Sequence, residues 1–288
     1  MKSGTVQARG LTFHTLEEGE GPLILCIHGF PDHARSFRHQ MPALAAAGFR
    51  VVAPFTRGYA PTDPAPDGCY QPASQAMDAL AIIEALGYDD AVVYGHDWGA
   101  LAAYGAALAA PERLRALITS AVPYGPQMAG AFVTNYDQQK RFWYMFFFQH
   151  PFAEVAVAHD DFAFIEHLWS DWSPGWRWPA EEMESVKATF RKPGVLEAAL
   201  AYYRAQLGSG KQDPALAELQ SKMFGAPIEV PGLMIHGADD ALMRSGLLEG
   251  MAEAYPKGLR MEIIPGAGHF VHQEKHDVVN RILLDFLS

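Results

Sequence analysis

Short, almost wholly apolar runs alternate with alanine-rich, helix-like stretches over the first 121 residues. Pro22-Leu23-Ile24-Leu25-Cys26-Ile27 and Ala91-Val92-Val93-Tyr94 are of strand length and carry no charge, as expected of strands buried on both faces. Residues 100–110 are alanine-rich and end at Pro111, which reads as a helix with a stop signal. This alternation predicts a mostly parallel sheet with helices on both faces. From about residue 124 to 228 the pattern turns helical and aromatic, with Pro151, Pro174, Pro179 and Pro193 as breakers. Strand signals return in Gly232-Leu233-Met234-Ile235 and Arg260-Met261-Glu262-Ile263-Ile264, and an amphipathic helix is expected over residues 273–287. The chain therefore reads as an α/β core in two parts, 1–123 and 229–288. Residues 124–228 form a helical cap inserted after the sixth strand, which would roof the site and exclude water. No repeat, low-complexity tract or long linker interrupts it.

At one junction of strand and helix stands Gly95-His96-Asp97-Trp98-Gly99. It has the glycine spacing of a nucleophile elbow, with aspartate where serine is usual. The glycines are expected to permit a sharp turn that exposes Asp97 at the C-terminal edge of the sheet. The plain alternative is an aspartate that only caps a helix. As a nucleophile, aspartate is already ionised at neutral pH and needs no base to remove a proton. Attack on an ester or amide carbonyl would give a mixed anhydride that collapses back. Attack on a saturated carbon bearing a strained oxygen or a halide gives a stable alkyl ester, which water must cleave. The motif thus predicts an epoxide or an alkyl halide as electrophile.

Cleaving that ester requires a base and a site for negative charge on the carbonyl oxygen. Pro265-Gly266-Ala267-Gly268-His269 follows the last strand and would bring His269 to the same sheet edge. His272 is the nearby competitor among 12 histidines. An acid to orient the imidazole is expected after the 232–235 strand, in His236-Gly237-Ala238-Asp239-Asp240, with Asp240 preferred over Asp239. Nucleophile, acid and base then occur in the chain order of α/β-hydrolases. His28-Gly29-Phe30-Pro31-Asp32 is placed to supply an oxyanion donor through the Phe30 N–H, beside that of Trp98. His28 itself is expected to brace the loop.

Taken together, His28-Gly29-Phe30-Pro31, Arg57-Gly58-Tyr59, Gly95-His96-Asp97-Trp98-Gly99, His236-Gly237 with Asp240, and Gly268-His269-Phe270 resemble the epoxide hydrolases of the α/β-hydrolase superfamily. The resemblance implies that two cap tyrosines protonate the opening epoxide. Ala201-Tyr202-Tyr203-Arg204 is similar to the segment carrying one of them, and the match falls on Tyr203. Phe146-Phe147-Phe148-Gln149 resembles the segment carrying the other, but has Phe147 at the matching position. Tyr144, His167, Trp169 and Trp172 are the further candidates for a donor or a pocket wall. Haloalkane dehalogenases share the Asp-Trp-Gly elbow and are the alternative, although Phe30 stands where they carry a donating asparagine. Fluoroacetate dehalogenases are implied less, because Trp98 and Leu101 occupy the region of their carboxylate-binding arginines. The aromatic content of residues 132–203 points to an apolar or aromatic substrate.

With 288 residues and 49% hydrophobic composition, the chain can bury a large core and still carry a lid. Its 33 acidic against 22 basic residues give a formal charge of −11, which opposes nucleic-acid binding and favours solubility. Cys26 and Cys69 lack metal-site spacing, and His28, His236 and His269 do not make a metal site. No cofactor or metal is expected. The N-terminus lacks the apolar stretch of a signal peptide, and no segment suits a membrane span, so a cytoplasmic monomer or homodimer is expected. Partners reduce to a small apolar epoxide or alkyl halide and water. A non-catalytic ligand-binding protein of the same fold is the reading from a different class, and it leaves the set Asp97, Asp240 and His269 without a purpose.

Overall fold

The computed structural model describes residues 1–288. Eight strands form one sheet: β1 (Lys2–Ala8), β2 (Leu11–Glu18), β3 (Leu23–Ile27), β4 (Arg50–Pro54), β5 (Ala91–His96), β6 (Leu114–Ser120), β7 (Gly232–Gly237) and β8 (Leu259–Ile264). Their order is β1-β2-β4-β3-β5-β6-β7-β8. Strands from β4 through β8 run parallel, whereas β1 and β2 form an antiparallel edge, Lys2 opposite Glu17 through Ala8 opposite Leu11. Arg9 and Gly10 both adopt positive φ in the connecting turn, the geometry that matches the twist of a two-residue hairpin. Alternate burial along β2 shows a sheet edge with one covered face.

The central strands β3, β5 and β7 bury both faces. Ile24, Cys26, Val92, Tyr94, Leu233 and Ile235 point into one core, with Phe37, Met41, Val279 and Leu283. Leu23, Leu25, Ile27, Val93 and Leu117 point into the other. This is the period-two alternation of a strand expressed on two apolar layers. Helices α1 (Gln40–Ala46), α2 (Pro72–Ala85) and α3 (Trp98–Ala109) complete the first part of the core. Each fully buried leucine or isoleucine contributes about 1.5–3 kcal/mol through removal of apolar area from water.

Between β6 and β7 lie only helices: α4 (Pro126–Thr134), α5 (Tyr136–Arg141), α6 (Trp143–Phe147), α7 (Ala153–Trp172), α8 (Ala180–Phe190), α9 (Val195–Leu207) and α10 (Ala217–Lys222), with one short 3-10 turn at Pro214–Leu216. Pro151 precedes α7, Pro174 and Pro179 separate α7 from α8, and Pro193 separates α8 from α9. The helix α7 is itself interrupted at Asp160, Asp161 and Phe162, which take left-handed φ values. The last expected helix is divided into α11 (Val271–Glu274) and α12 (His276–Leu287), because Lys275 leaves helical geometry at φ −124° and ψ 41°. No helix is long and apolar enough to cross a membrane.

Candidate active site

Four loops at the C-terminal ends of parallel strands converge: after β3, β5, β7 and β8. This is the side on which open α/β sheets place ligands. Asp97 joins β5 to α3 at φ 53° and ψ −118°, a conformation costly for a side-chain-bearing residue and concentrated at functional sites. The positive φ sits on Asp97 itself, not on the glycines. Gly95 and Gly99 instead give room: a Cβ on Gly95 would collide with the Gly99 carbonyl oxygen, and one on Gly99 would collide with that of Ile27. The sequence-based reason for the glycines is corrected accordingly; they serve close approach of strand, elbow and helix.

The Asp97 side chain is buried and accepts a hydrogen bond from the Phe30 N–H at Oδ1, 2.8 Å. Its Oδ2 lies 3.5 Å from His269 Nε2. The expected second donor, the Trp98 N–H, belongs to the first turn of α3 and makes no hydrogen bond to the carboxylate in this structure. On its other side His269 Nδ1 donates to Asp240 Oδ2 at 3.0 Å. Asp240 is fixed in turn, because its Oδ1 accepts from the N–H groups of Leu242 and Met243, each at 2.8 Å. Asp239 faces solvent, so of the two neighbouring aspartates Asp240 is the one in contact with His269. Burial alone would depress the His269 pKa; the charges and hydrogen bonds of Asp240 and Asp97 outweigh it and hold the imidazole above its ordinary value.

Polar groups behind this trio are also tied. His28 Nε2 accepts from the Thr56 N–H at 3.1 Å while Nδ1 donates to the Gly29 carbonyl at 3.0 Å. Burial pushes its pKa down to about 3, so it stays neutral and braces the loop. His96 Nε2 donates to the His269 carbonyl at 3.0 Å. His272 turns away from Asp97 and donates to Ser36 Oγ at 2.6 Å, whose hydroxyl donates to Asp32 at 2.8 Å. Arg57 is buried and holds Asp78 with two bonds of 2.6 Å.

The cavity over Asp97 has a volume of about 90 Å³ and a mainly apolar lining with a few polar groups, the character of a small-molecule site. Trp98, Tyr144 and Tyr203 line it beside Asp97. The rings of Tyr144 and Tyr203 are 5.6 Å apart. Burial, reinforced by the negative charge of Asp97, raises both phenol pKa values well above 10, so both remain proton donors. The Tyr203 hydroxyl is buried without an acceptor from the protein. No group of three or more His, Cys, Asp or Glu side chains has the arrangement to hold a metal ion.

Residues 22–276 match the family described as alpha/beta hydrolase fold. The mouse (Mus musculus) protein named Epoxide hydrolase 4 is 30% identical over 294 residues, which span 98% of this chain and 78% of that one. The chain belongs to the α/β-hydrolase family, among its epoxide hydrolases. Epoxide hydrolase A of Mycobacterium tuberculosis is 29% identical over 98% of this chain and 96% of its own. A crystal structure of Bacillus megaterium epoxide hydrolase in complex with an inhibitor has a TM-score of 0.86 at 26% identity and covers 99% of both chains.

For this epoxide hydrolase relative, several pocket expectations require correction. Phe147 is half-buried but packs on Trp143, Phe148 and Phe164 at 6.0–6.2 Å, away from the cavity lining. Tyr144, one turn earlier on α6, takes the position over Asp97 that the resemblance assigns to residue 147. His167 lies on the exposed face of α7. Trp169 is fully buried, stacks on Trp176 at 5.0 Å and donates its indole N–H to the Pro31 carbonyl at 3.0 Å. Trp172 packs against Tyr144 at 4.9 Å and His269 at 5.2 Å without lining the cavity. Sequence reasoning missed the methionines in the lining, Met128, Met145, Met223 and Met243. Nothing in the sequence separates them from core methionines.

Proposed function

We propose that the protein hydrolyses apolar or aromatic epoxides to vicinal diols through an ester on Asp97. The observation that carries this reading is the position of Asp97, buried at the floor of an apolar cavity and facing the hydroxyl-bearing rings of Tyr144 and Tyr203. A phenol pair opposite a carboxylate suits a leaving group that becomes an alkoxide. A departing halide needs two N–H donors instead: the Trp98 indole N–H is free beside Asp97, but Phe30 offers no side-chain donor as its partner, and the Trp169 indole N–H is committed to the Pro31 carbonyl.

In the opening step Asp97 Oδ2 attacks one ring carbon, the carbon–oxygen bond breaks, and Tyr144 or Tyr203 gives a proton to the oxygen. Alkylation removes the charge of Asp97, one of the two charges that hold the His269 proton. The imidazolium then surrenders that proton, by way of solvent, to the tyrosinate, and His269 becomes a base. Neutral His269 takes a proton from water, and the hydroxide attacks Asp97 Cγ. The Phe30 N–H, already 2.8 Å from Oδ1, stabilises the charge that develops there. On collapse the departing alkoxide takes the remaining proton of the added water, which releases the diol and restores the Asp97 carboxylate and the His269 imidazolium, so the sum is epoxide plus water. Asp240 keeps Nδ1–H directed and Nε2 aimed at the ester. Residues 124–228 act as the cap that keeps bulk water from this ester.

Intact-protein mass spectrometry of His269→Gln after exposure to styrene oxide tests the assignment. A stable adduct of the epoxide mass, absent in the additional Asp97→Ala variant, is expected. A hexyl adduct formed from 1-bromohexane with bromide release, and none from styrene oxide, would move the chain to the dehalogenases. No adduct from either reagent would return the non-catalytic reading.

A further inference from the structure

We propose that the site is built for epoxides that carry one large apolar substituent, and that rings packed beside Asp97 exclude a second. The proposal rests on the epoxide reading above and adds the substrate class. From Asp97 the cavity extends in one direction, walled by Leu101, Val122, Met128, Met145, Met223 and Met243. Methionine side chains adapt to varied shapes, so this arm tolerates alkyl and aryl groups alike.

The other side of the nucleophile is filled. Phe30, Phe148, Phe190 and Trp172 are each at most 3% exposed, and none lines the cavity. The Phe30 ring meets Phe148 at 5.5 Å, Phe190 at 5.9 Å, Tyr203 at 5.3 Å and Trp172 at 6.4 Å. Phe148 in turn meets Tyr203 at 5.0 Å. These separations are those of rings in contact. With the epoxide oxygen at the tyrosines and a ring carbon at Asp97, trans substituents on the two carbons diverge to opposite sides. One enters the arm. The other meets the packed rings, where even an added methylene or two forces side chains off their rotamers. Terminal epoxides, giving terminal 1,2-diols, avoid that collision.

The test compares kcat/KM for styrene oxide and trans-stilbene oxide, which differ by one phenyl group on the second carbon. The terminal epoxide is expected to be preferred by at least about 100-fold, since a phenyl group far exceeds the few methylenes that packed interiors absorb. A preference under about tenfold overturns the proposal. Two variants locate the cause through ratios, so that a general loss of activity cancels. Phe148→Ala should raise trans-stilbene oxide relative to styrene oxide by about tenfold or more, by removing one ring of the filled side. Ala129→Trp, in the cavity lining, should cut styrene oxide about tenfold more than propylene oxide by filling the arm. Equal effects on both substrates in both variants overturn the assignment of the two sides. If wild-type protein turns over no epoxide and His269→Gln yields no adduct, the epoxide reading itself fails and takes this inference with it. Turnover with the opposite preference refutes the inference alone.

Discussion

The sheet edge and the helical roof meet at Asp97 and are held in different ways. At the edge, Asp97 Oδ1 has the Phe30 N–H, Asp240 has two backbone donors, and His269 has Asp240. Each of these groups is oriented by a neighbour that is itself fixed. Across the cavity, Tyr144 and Tyr203 are positioned by ring packing, and the Tyr203 hydroxyl has no protein acceptor. The contrast teaches where reorganisation is avoided and where it is allowed. Groups that act in both steps are preorganised by hydrogen bonds, whereas donors that act only on the leaving oxygen are left free for it.

Removing those free donors should give the largest effect among the changes that leave Asp97 and His269 intact. Tyr144→Phe and Tyr203→Phe are each expected to slow ester formation by about 10–100-fold, and the double variant by about 1,000-fold or more, in line with general acid catalysis. Single-turnover burst measurements read that step. A double variant that still forms the ester within about tenfold of the wild-type rate would show that another group protonates the oxygen.

The same contrast explains what is legible in the sequence. Asp97, Asp240 and Phe30 each follow a short apolar strand and His269 a mixed one, and all four sit in glycine-containing loops, so chain-local signals place them. The β1–β2 hairpin lies outside the sequence reading, although Leu11 and Phe13 alternating with Thr12 and His14 after Arg9-Gly10 carry its signal. In the roof, the side of a helix that meets the cavity is set by packing with distant segments. Tyr144 and Phe147 lie three residues apart on α6, and aromatic composition alone assigns neither to the site. The His272, Ser36 and Asp32 chain joins residues more than 230 positions apart, a distance across which spacing says nothing.

A smaller effect is expected where roof and edge are fastened together. Glu274 accepts the Gly268 N–H at 2.9 Å and the Ser173 hydroxyl at 2.7 Å, while Ser173 Oγ accepts the Phe270 N–H at 3.3 Å. Both neighbours of His269 are thereby held, one of them through the C-terminal end of α7. Glu274→Ala should slow ester hydrolysis by about tenfold, the scale of losing two charge-assisted bonds that position a base, and alter ester formation less. Burial raises the Glu274 pKa above the usual carboxylate value, and bonds from Gly268 and Ser173 offset part of that. Protonation on the acid side removes an acceptor, so hydrolysis should decline at a pH above the ordinary carboxylate range. Asp32, which burial lifts to about 7, adds a separate acid limb. Glu274→Gln should remove only the Glu274 part of the profile. An unchanged profile would reduce Glu274 to a packing role.

The smallest effect is expected at the position where the resemblance and the structure disagree. Phe147 contacts Trp143 and Phe164 and does not reach the cavity, so a hydroxyl added there points among roof side chains, not toward the epoxide. Phe147→Tyr should leave kcat/KM for styrene oxide within about twofold of wild type, the scatter of surface-type substitutions. The decisive background is Tyr144→Phe. If residue 147 owned the acid function, Phe147→Tyr would restore ester formation there; if Tyr144 owns it through its place over Asp97, the double variant stays as slow as Tyr144→Phe. Restoration would mean that α6 turns by most of a residue when substrate binds, so that the roof adapts where the sheet edge does not.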